Sequence, residues 1–160
     1  MIKRFLSLRW RRLRRSGETG QSLVEFALML PFLLLMLMGT LDVGRLYFAY
    51  VAIQNAAGEG ALYAAIHPNC IHASDGPDCA DPNNAEYRAR HESPAGGIDW
   101  RRTTVEVEPV DRSGLREGDP ITLIVHYDYY ILTPVISPLV KDGKLQLTAR
   151  AVQNVIDLEK

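Results

Sequence analysis

Histidines, cysteines and clustered carboxylates are the residues of this chain that could carry out catalysis or bind a metal. The sequence contains no Gly-x-Ser-x-Gly, no His-Glu-x-x-His and no glycine-rich phosphate loop. Its four histidines have no acid or nucleophile at a spacing typical of a catalytic site; they are His67, His72, His91 and His126. We therefore expect a protein that is not an enzyme and that needs no cofactor.

The two cysteines, Cys70 and Cys79, lie in a stretch rich in Pro, Gly, Asp and Asn. They form no Cys-x-x-Cys pair, and although His67 and His72 lie near Cys70, the spacing is not that of a zinc site. The carboxylates of this stretch could gather around calcium, but not with EF-hand spacing; they are Asp75, Asp78 and Asp81. We expect no metal and predict a Cys70–Cys79 disulfide, which forms in an oxidising compartment.

Glu25 is a carboxylate at the edge of the longest apolar segment of the chain. A carboxylate in a membrane costs roughly 2.5–3.5 kcal/mol at the centre of a helix and less near the interface, so it usually has a partner. One interpretation is local, because Ser22-x-x-Glu25 has the spacing of a capping box. That interpretation predicts a helix that begins at Ser22.

The apolar segment itself, from Phe26 to Leu41, has no charged residue, and Thr40 is its one hydroxyl. Counted from Gln21, it reaches roughly the 20 residues that a helix needs to cross a hydrocarbon core of about 30 Å. Seven of the 18 basic residues precede it, within residues 1–20, so 11 basic and 18 acidic residues remain for the rest. Basic residues beside a membrane helix stay cytoplasmic. We predict a single-pass inner-membrane protein with a cytoplasmic N-terminus and an extracytoplasmic C-terminal region, and no nucleic-acid partner for the basic tip.

The pattern beyond the membrane segment predicts an α+β fold. Helix-compatible sequence continues to about Ile66, because Pro68 disfavours helix at the residue before it. Alternating apolar residues then predict strands over 103–110, 121–132 and 144–156. A small antiparallel sheet of about three strands needs a cover, which the outer half of the helix supplies. The predicted regions are a basic leader (1–20), a transmembrane helix (21–41), its extracytoplasmic continuation (42–66), irregular loops (67–102) and strands (103–160).

The extracytoplasmic half of the predicted helix carries a stripe of small and charged residues at steps of three and four. Small side chains let a second helix approach closely, and charged ones can pair with it. Equally, alanines simply favour helix and can face solvent. An adjacent arc of Leu46, Tyr50 and Ile53 is suited to covering the sheet. The stripe consists of Asp42, Arg45, Ala49, Ala52, Ala56 and Glu59.

The stretch TGQSLVEFALMLPFLLLMLMGTLDVGRLYFAYVAIQNAAGEGALYAA (19–65) resembles the TadE-like family. This family is found among the minor pilins or pseudopilins of bacterial tight-adherence (Tad) pilus systems. The resemblance implies a pilin-like fold and a structural subunit of the bacterial inner membrane, with its C-terminal domain in the periplasm. The implied partners are other pilin or pseudopilin subunits and the pilus assembly machinery.

The same stretch is similar to a type IV prepilin processing site, in which cleavage follows a glycine and a glutamate is the fifth residue beyond it. Gly20 and Glu25 have that spacing. The resemblance implies that a prepilin peptidase cuts between Gly20 and Gln21, and that Glu25 pairs with the new amine of a neighbouring subunit. Type IV pilins typically begin with phenylalanine, so Gln21 departs from the pattern. The alternative is a permanently anchored envelope interaction protein that keeps its leader.

Overall fold

The computed structural model describes residues 18–92, 97–133 and 140–156. Most of the predicted basic leader lies outside the described residues, as do residues 157–160 at the C-terminal end of the predicted strand region. The chain divides into two compact units, which meet in sequence between Thr40 and Leu41. The first unit contributes an apolar helical segment, and the second contributes the rest of that helix, a short helix and a sheet.

Helix α1, Glu18–Ile66, is the longest element. It begins one turn before the predicted start, so Ser22 lies inside the helix and the capping box was wrong. The physical reason is that the one glycine of Glu18–Gln21 weakens a helix by only about 1 kcal/mol, while Gln21 donates to Glu25 across one turn at 2.9 Å. The predicted end at Ile66 is confirmed, and the His67 N–H closes the last turn on the Tyr63 carbonyl at 2.9 Å.

The first unit presents an apolar surface that the chain does not cover. Large side chains of α1 from Leu23 to Met38 are between 38 and 75 % exposed. Gly20–Ile66 contains an 18-residue window with a mean hydropathy of 2.1, none of it buried. Among the described helices it is the one long and apolar enough to cross a membrane, as the sequence predicts.

The second unit contains a three-stranded antiparallel sheet in the order β1-β2-β3. Strand β1 is Thr103–Glu108, β2 is Pro120–Tyr130 and β3 is Lys144–Asn154. The three predicted strands are therefore confirmed, with ends that differ by no more than two residues. Buried and exposed residues tend to alternate along each strand, because one face of the sheet is covered and the other is open to solvent.

The covered face of the sheet packs against the outer half of α1. Ile53, Ala57 and Ala61 are fully buried and belong to one core with Leu123 and Val125 of β2. Small side chains on the helix let it lie close to the sheet. The predicted covering arc is only partly right. Ile53 is buried and Leu46 partly so, but Tyr50 is 42 % exposed because the buried stripe continues through the alanines.

The sequence predicted irregular loops over 67–102, but this region is not wholly irregular. It contains a short helix α2, Ala85–Glu92, whose Ala85 and Ala89 are fully buried. The prediction was wrong here because two alanines per two turns give a weak apolar period among Asn, Asp and Arg. A Cβ on Gly60 of α1 would lie 3.1 Å from the Ala89 Cβ, so a glycine allows this close approach.

Candidate functional site

The predicted processing residues lie in the first turns of α1. Gly20 and Gln21 are exposed, and an added Cβ at Gly20 would meet no atom within 4 Å. Glu25 is also exposed, and its Oε1 accepts the 2.9 Å hydrogen bond from the Gln21 side chain. In this chain, therefore, Glu25 has a neutral hydrogen-bond donor and no cationic partner among the described residues.

Asp42 occupies a different environment, because only 7 % of it is exposed. Its Oδ2 accepts from the Thr133 backbone N–H at 2.8 Å and from the Thr133 hydroxyl at 2.5 Å. Its Oδ1 accepts from the Leu132 N–H at 3.3 Å. A buried carboxylate is tolerated when hydrogen bonds of this kind replace those to water. Asp42 thereby ties α1 to the segment that follows β2.

Two further side chains complete the surroundings of Asp42. The Tyr129 hydroxyl donates to the Asp42 backbone carbonyl at 3.2 Å. The Arg45 guanidinium lies 3.7 Å from Asp42 Oδ1 and 5.8 Å from the centre of the Tyr129 ring, with its side chain 52 % exposed. Burial raises the pKa of the Tyr129 hydroxyl, with Arg45 opposing it, so Tyr129 stays a neutral donor. We call Asp42, Arg45, Tyr129, Leu132 and Thr133 the Asp42 anchor.

The alanines of the predicted stripe lie inside the folded chain. Ala49, Ala52 and Ala56 are at most 4 % exposed, so they do not face solvent. Arg45 and Glu59, in contrast, keep exposed surface. The alanines already pack within this chain. Contact with another subunit therefore stays a prediction for Arg45 and Glu59 of the stripe.

The predicted disulfide is present, because Cys70 and Cys79 are bonded at an S–S distance of 1.96 Å. Within its loop, Asp75 Oδ2 accepts from the backbone N–H groups of Ile71 at 2.9 Å and His72 at 3.0 Å. Arg112 lies 3.3 Å from the same oxygen. Burial raises the pKa of Asp75, but these hydrogen bonds and the nearby Arg112 and His72 outweigh it and leave the pKa below its usual value.

Of the three aspartates that could have gathered around calcium, two make different hydrogen bonds within the fold. Asp75 organises the disulfide loop, whereas Asp81 Oδ1 accepts from the Asn84 side chain at 2.7 Å. Over residues 18–92, 97–133 and 140–156, no group of three or more His, Cys, Asp or Glu could hold a metal.

Each of the four histidines contacts a neighbouring side chain, and these contacts are consistent with structural roles. His72 contacts Glu86 at 2.7 Å, and His126 contacts the Thr148 hydroxyl at 2.9 Å across the open face of the sheet. His91 stacks on Tyr87, and His67 lies against Tyr63. The His126 pair places a hydroxyl beside an imidazole, and it lies on the face of the sheet that is open to solvent.

An open cleft of about 940 Å³ lies at the C-terminal end of α1. Its lining combines the end of the helix, the disulfide loop and the end of β3, including Tyr63, His67, Asp78, Arg116 and Ile156. The Ile156 N–H donates to the Ala65 carbonyl at 2.8 Å, so the end of the sheet is fastened to the end of the helix.

The partner of Asp42 was not predicted from the sequence. Asp42 and Arg45 belong to the predicted stripe, but Thr133 lies 91 residues away in the chain. No local pattern indicates such a contact. A usable signal is the isolated aspartate directly after an uncharged segment, because a carboxylate in that place needs hydrogen bonds from elsewhere in the fold.

Comparison with known proteins identifies one segment of the chain. Residues 20–62 match the family model described as TadE-like protein. This range contains Gly20, Glu25, Asp42 and Arg45, and it spans about a quarter of the 160 residues. It confirms the resemblance stated from the sequence. Searches of curated proteins and of solved structures gave no significant match.

Proposed function

We propose that the protein is a membrane-inserted minor pilin or pseudopilin. Residues 20–62 match the TadE-like family, and this match associates the protein with Tad pili. In this role it is a structural subunit that takes part in assembling a Tad-type pilus or a related secretion system. The observation that carries the proposal is that the matched range comprises the exposed apolar part of α1 together with Asp42 and Arg45 of the Asp42 anchor. One continuous family segment thus covers the apolar helix and the helix side of the anchor, whereas Tyr129, Leu132 and Thr133 lie outside it.

The proposed orientation places the basic leader in the cytoplasm and the sheet in the periplasm. The uncovered apolar helix supports insertion in the inner membrane, and seven basic residues before it support the direction. The Cys70–Cys79 disulfide supports an oxidising compartment for the second unit.

Assembly is proposed to move the apolar part of α1 from lipid into a bundle with helices of other subunits. Glu25 is exposed and has only a neutral side-chain donor, Gln21, among its described contacts. An amine from a neighbouring subunit would give it a charge-assisted hydrogen bond in a medium of low dielectric constant, where such a bond is strong. This pairing would fix the register between subunits.

A prepilin peptidase is proposed to cleave between Gly20 and Gln21. Both residues are exposed at the start of the described part of α1, so the bond between them is accessible to a peptidase. After cleavage, the amine that would pair with Glu25 belongs to Gln21 of the neighbouring subunit.

Intact mass after coexpression with and without a prepilin peptidase tests this proposal. Wild type should lose the mass of residues 1–20 only with the peptidase, and Gly20→Ala should not. Gly44→Ala is the matched control, because an added Cβ meets no atom within 4 Å at either glycine. A wild-type chain that stays full length while inserted in the membrane contradicts the pilin proposal and supports the permanently anchored alternative.

The role of Glu25 needs a separate measurement, because a structural effect on insertion must be distinguished from one on assembly. We expect Glu25→Ala to leave membrane insertion and cleavage nearly unchanged and to reduce incorporation into crosslinked oligomers or sheared filaments severalfold. Equal incorporation by Glu25→Ala and wild type would remove Glu25 from the assembly mechanism.

A further inference from the structure

The outer half of α1 has an exposed apolar surface on the side opposite the sheet. Six large side chains within eleven residues are between 37 and 71 % exposed. A surface of this size and composition is unusual in contact with water and marks an interaction site. We call it the outer face; its residues are Leu41, Val43, Tyr47, Phe48, Tyr50 and Val51.

The charged residues of this stretch do not interrupt the outer face. Asp42 and Arg45 are the two charged residues between Leu41 and Val51. Asp42 is buried on the opposite side of the helix, and Arg45 turns toward Asp42 and the Tyr129 ring. The aspartate that ends the apolar segment in the sequence therefore does not end the apolar surface of the helix.

The outer face ends in polar residues. After Val51 the next partly or fully exposed positions are Gln54 and Asn55, both amides. From Ser22 to Val51 the helix rises about 45 Å at 1.5 Å per residue. That length exceeds a hydrocarbon core of about 30 Å and agrees with the roughly 40–45 Å of a bilayer that includes its head groups.

The composition of the outer face also fits the layer of lipid head groups. Tyrosine is enriched at this level because its ring is apolar and its hydroxyl is polar. Tyr47 and Tyr50 lie here beside Phe48, and the Tyr50 hydroxyl accepts from the Gln54 side chain at 3.0 Å, toward the polar end of the face.

A second apolar surface lies at the end of the sheet that contacts the Asp42 anchor. Leu132, whose N–H donates to Asp42, is 68 % exposed. Tyr130 and Leu145 are 44 and 39 % exposed, and Leu145 pairs with Tyr129 of the anchor. The second unit thus exposes apolar side chains around Asp42 from β2 and β3 as well as from the helix.

We propose that the outer face and the exposed side chains of Tyr130, Leu132 and Leu145 contact the periplasmic head-group layer of the membrane. The occupant of this surface is lipid, and the Asp42 anchor keeps the one carboxylate between Leu41 and Val51 of α1 away from it. The inference rests on the membrane insertion included in the proposed function. It adds that the outer domain rests on the bilayer before assembly and does not stand clear of it.

Site-directed nitroxide labelling of the full chain in nanodiscs of zwitterionic and anionic phospholipids tests the proposal. Single cysteines replace Leu33, Phe48 or Asn55, all exposed on α1, while Cys70 and Cys79 stay in their disulfide. Collision rates with oxygen, which dissolves in lipid, and with a water-soluble nickel chelate report depth. Leu33→Cys reports insertion itself, and Asn55→Cys is the matched exposed position beyond the outer face.

The expected result is severalfold less collision with the nickel chelate at position 48 than at 55, and more than at 33. Val43→Cys and Tyr47→Cys should agree with position 48. If position 33 is in lipid while 48 is as accessible to nickel as 55, the inference is overturned and membrane insertion stands. If position 33 is itself open to nickel, insertion and the proposed function fail.

A third outcome identifies a protein partner. Shielding of position 48 from both oxygen and nickel, with spin–spin broadening between labelled copies, would show that a second copy covers the outer face. That result would also overturn the lipid proposal. If lipid is the occupant, nanodiscs loaded with several chains should give the same spectra at position 48 as nanodiscs loaded with one chain.

Discussion

At the scale of single residues, Asp42 joins α1 to the segment that follows β2. Its carboxylate accepts three hydrogen bonds from Leu132 and Thr133, and its backbone carbonyl accepts a fourth from Tyr129. Hydrogen bonds to a charged group contribute roughly 1.5–3 kcal/mol each in mutational series, and they are not additive. Asp42 therefore fastens the helix to the end of β2 more strongly than the small contacts of the neighbouring alanines do.

Asp42→Ala should reduce the free energy of unfolding of the second unit by about 2–3 kcal/mol, because the buried N–H and hydroxyl of Thr133 and the partly buried Leu132 N–H lose their acceptor. Thermal unfolding of the full chain in detergent, followed by near-ultraviolet circular dichroism, measures this. Asp78→Ala, at an exposed aspartate, is the control and should change stability by less than about 0.5 kcal/mol.

Thr133→Val completes a double-mutant cycle with Asp42→Ala. Valine removes the hydroxyl donor but keeps the backbone N–H, so we expect a loss of about 1 kcal/mol. The double variant should lose less than the sum of the two single losses, because both remove the same interaction. Strict additivity would mean that the hydrogen bond from the Thr133 hydroxyl to Asp42 contributes nothing to stability.

Asp75 gives a prediction about pH. Its pKa is lowered in the folded chain, so the stability that it contributes is fully present above its unfolded pKa, about 3.9. That contribution is lost as the pH falls through the lower folded pKa. Asp75→Asn should therefore be less stable than wild type at pH 6–7, and the difference should shrink below pH 4. Unfolding temperatures measured from pH 7 to pH 3 would contradict this if the difference grew as the pH fell.

The contacts of single residues could be predicted from the sequence where the partner is close in the chain or is a rare residue type. Cys70 and Cys79 are the two cysteines of the chain, so their pairing followed from the count and the spacing. Asp42 was identified as unusual, but its partner Thr133 was not, because contacts between distant segments depend on how the whole domain packs. Ser22 was assigned a capping role that the extra helical turn from Glu18 removes.

At the scale of elements, the contact of α1 with α2 and β2 is set by one glycine. A Cβ on Gly60 would approach the Leu123 Cδ1 to 2.7 Å and the Ala85 carbonyl oxygen to 3.3 Å. The leucine tip can move, but the backbone of α2 has little room to do so. Gly58, in contrast, has no atom within 4 Å of an added Cβ.

These two glycines form a matched pair for a stability measurement. Gly58→Ala should stabilise the protein by about 0.5–1 kcal/mol, because alanine favours helix. Gly60→Ala gains the same propensity but should be destabilising overall by about 1–2 kcal/mol, because overpacking displaces α2 or Leu123. Unfolding of both variants under identical detergent conditions measures the difference in sign. Stabilisation by Gly60→Ala would show that α2 does not pack closely on α1.

The long periodic elements could be predicted from the sequence, whereas the short one could not. Period-two alternation identified β1, β2 and β3, and Pro68 identified the end of α1, because each of these signals acts locally. Helix α2 forms because Ala85 and Ala89 pack against the region of Gly60, a tertiary contact that its own eight residues do not indicate. Neither could the sequence show that the alanines at 52 and 56 are buried.

At the scale of the whole molecule, the second unit has a buried core and a disulfide, and the first exposes apolar side chains that water does not favour. A hydrocarbon environment removes that penalty, at roughly 25 cal/mol for each Å² of apolar surface taken from water. The central claim is therefore that the apolar part of α1 crosses a membrane once, with the sheet on the far side from the basic leader.

The most direct test is the location of a reporter fused after Lys160, using alkaline phosphatase and a green fluorescent protein in parallel in a Gram-negative host. Phosphatase is active only after export to the oxidising periplasm, and the fluorescent protein exported unfolded stays dark. We expect an active phosphatase fusion and a dark fluorescent fusion, both recovered in the membrane fraction. An inactive phosphatase fusion with a bright fluorescent fusion would contradict the account, because the sheet would then lie on the same side as the leader.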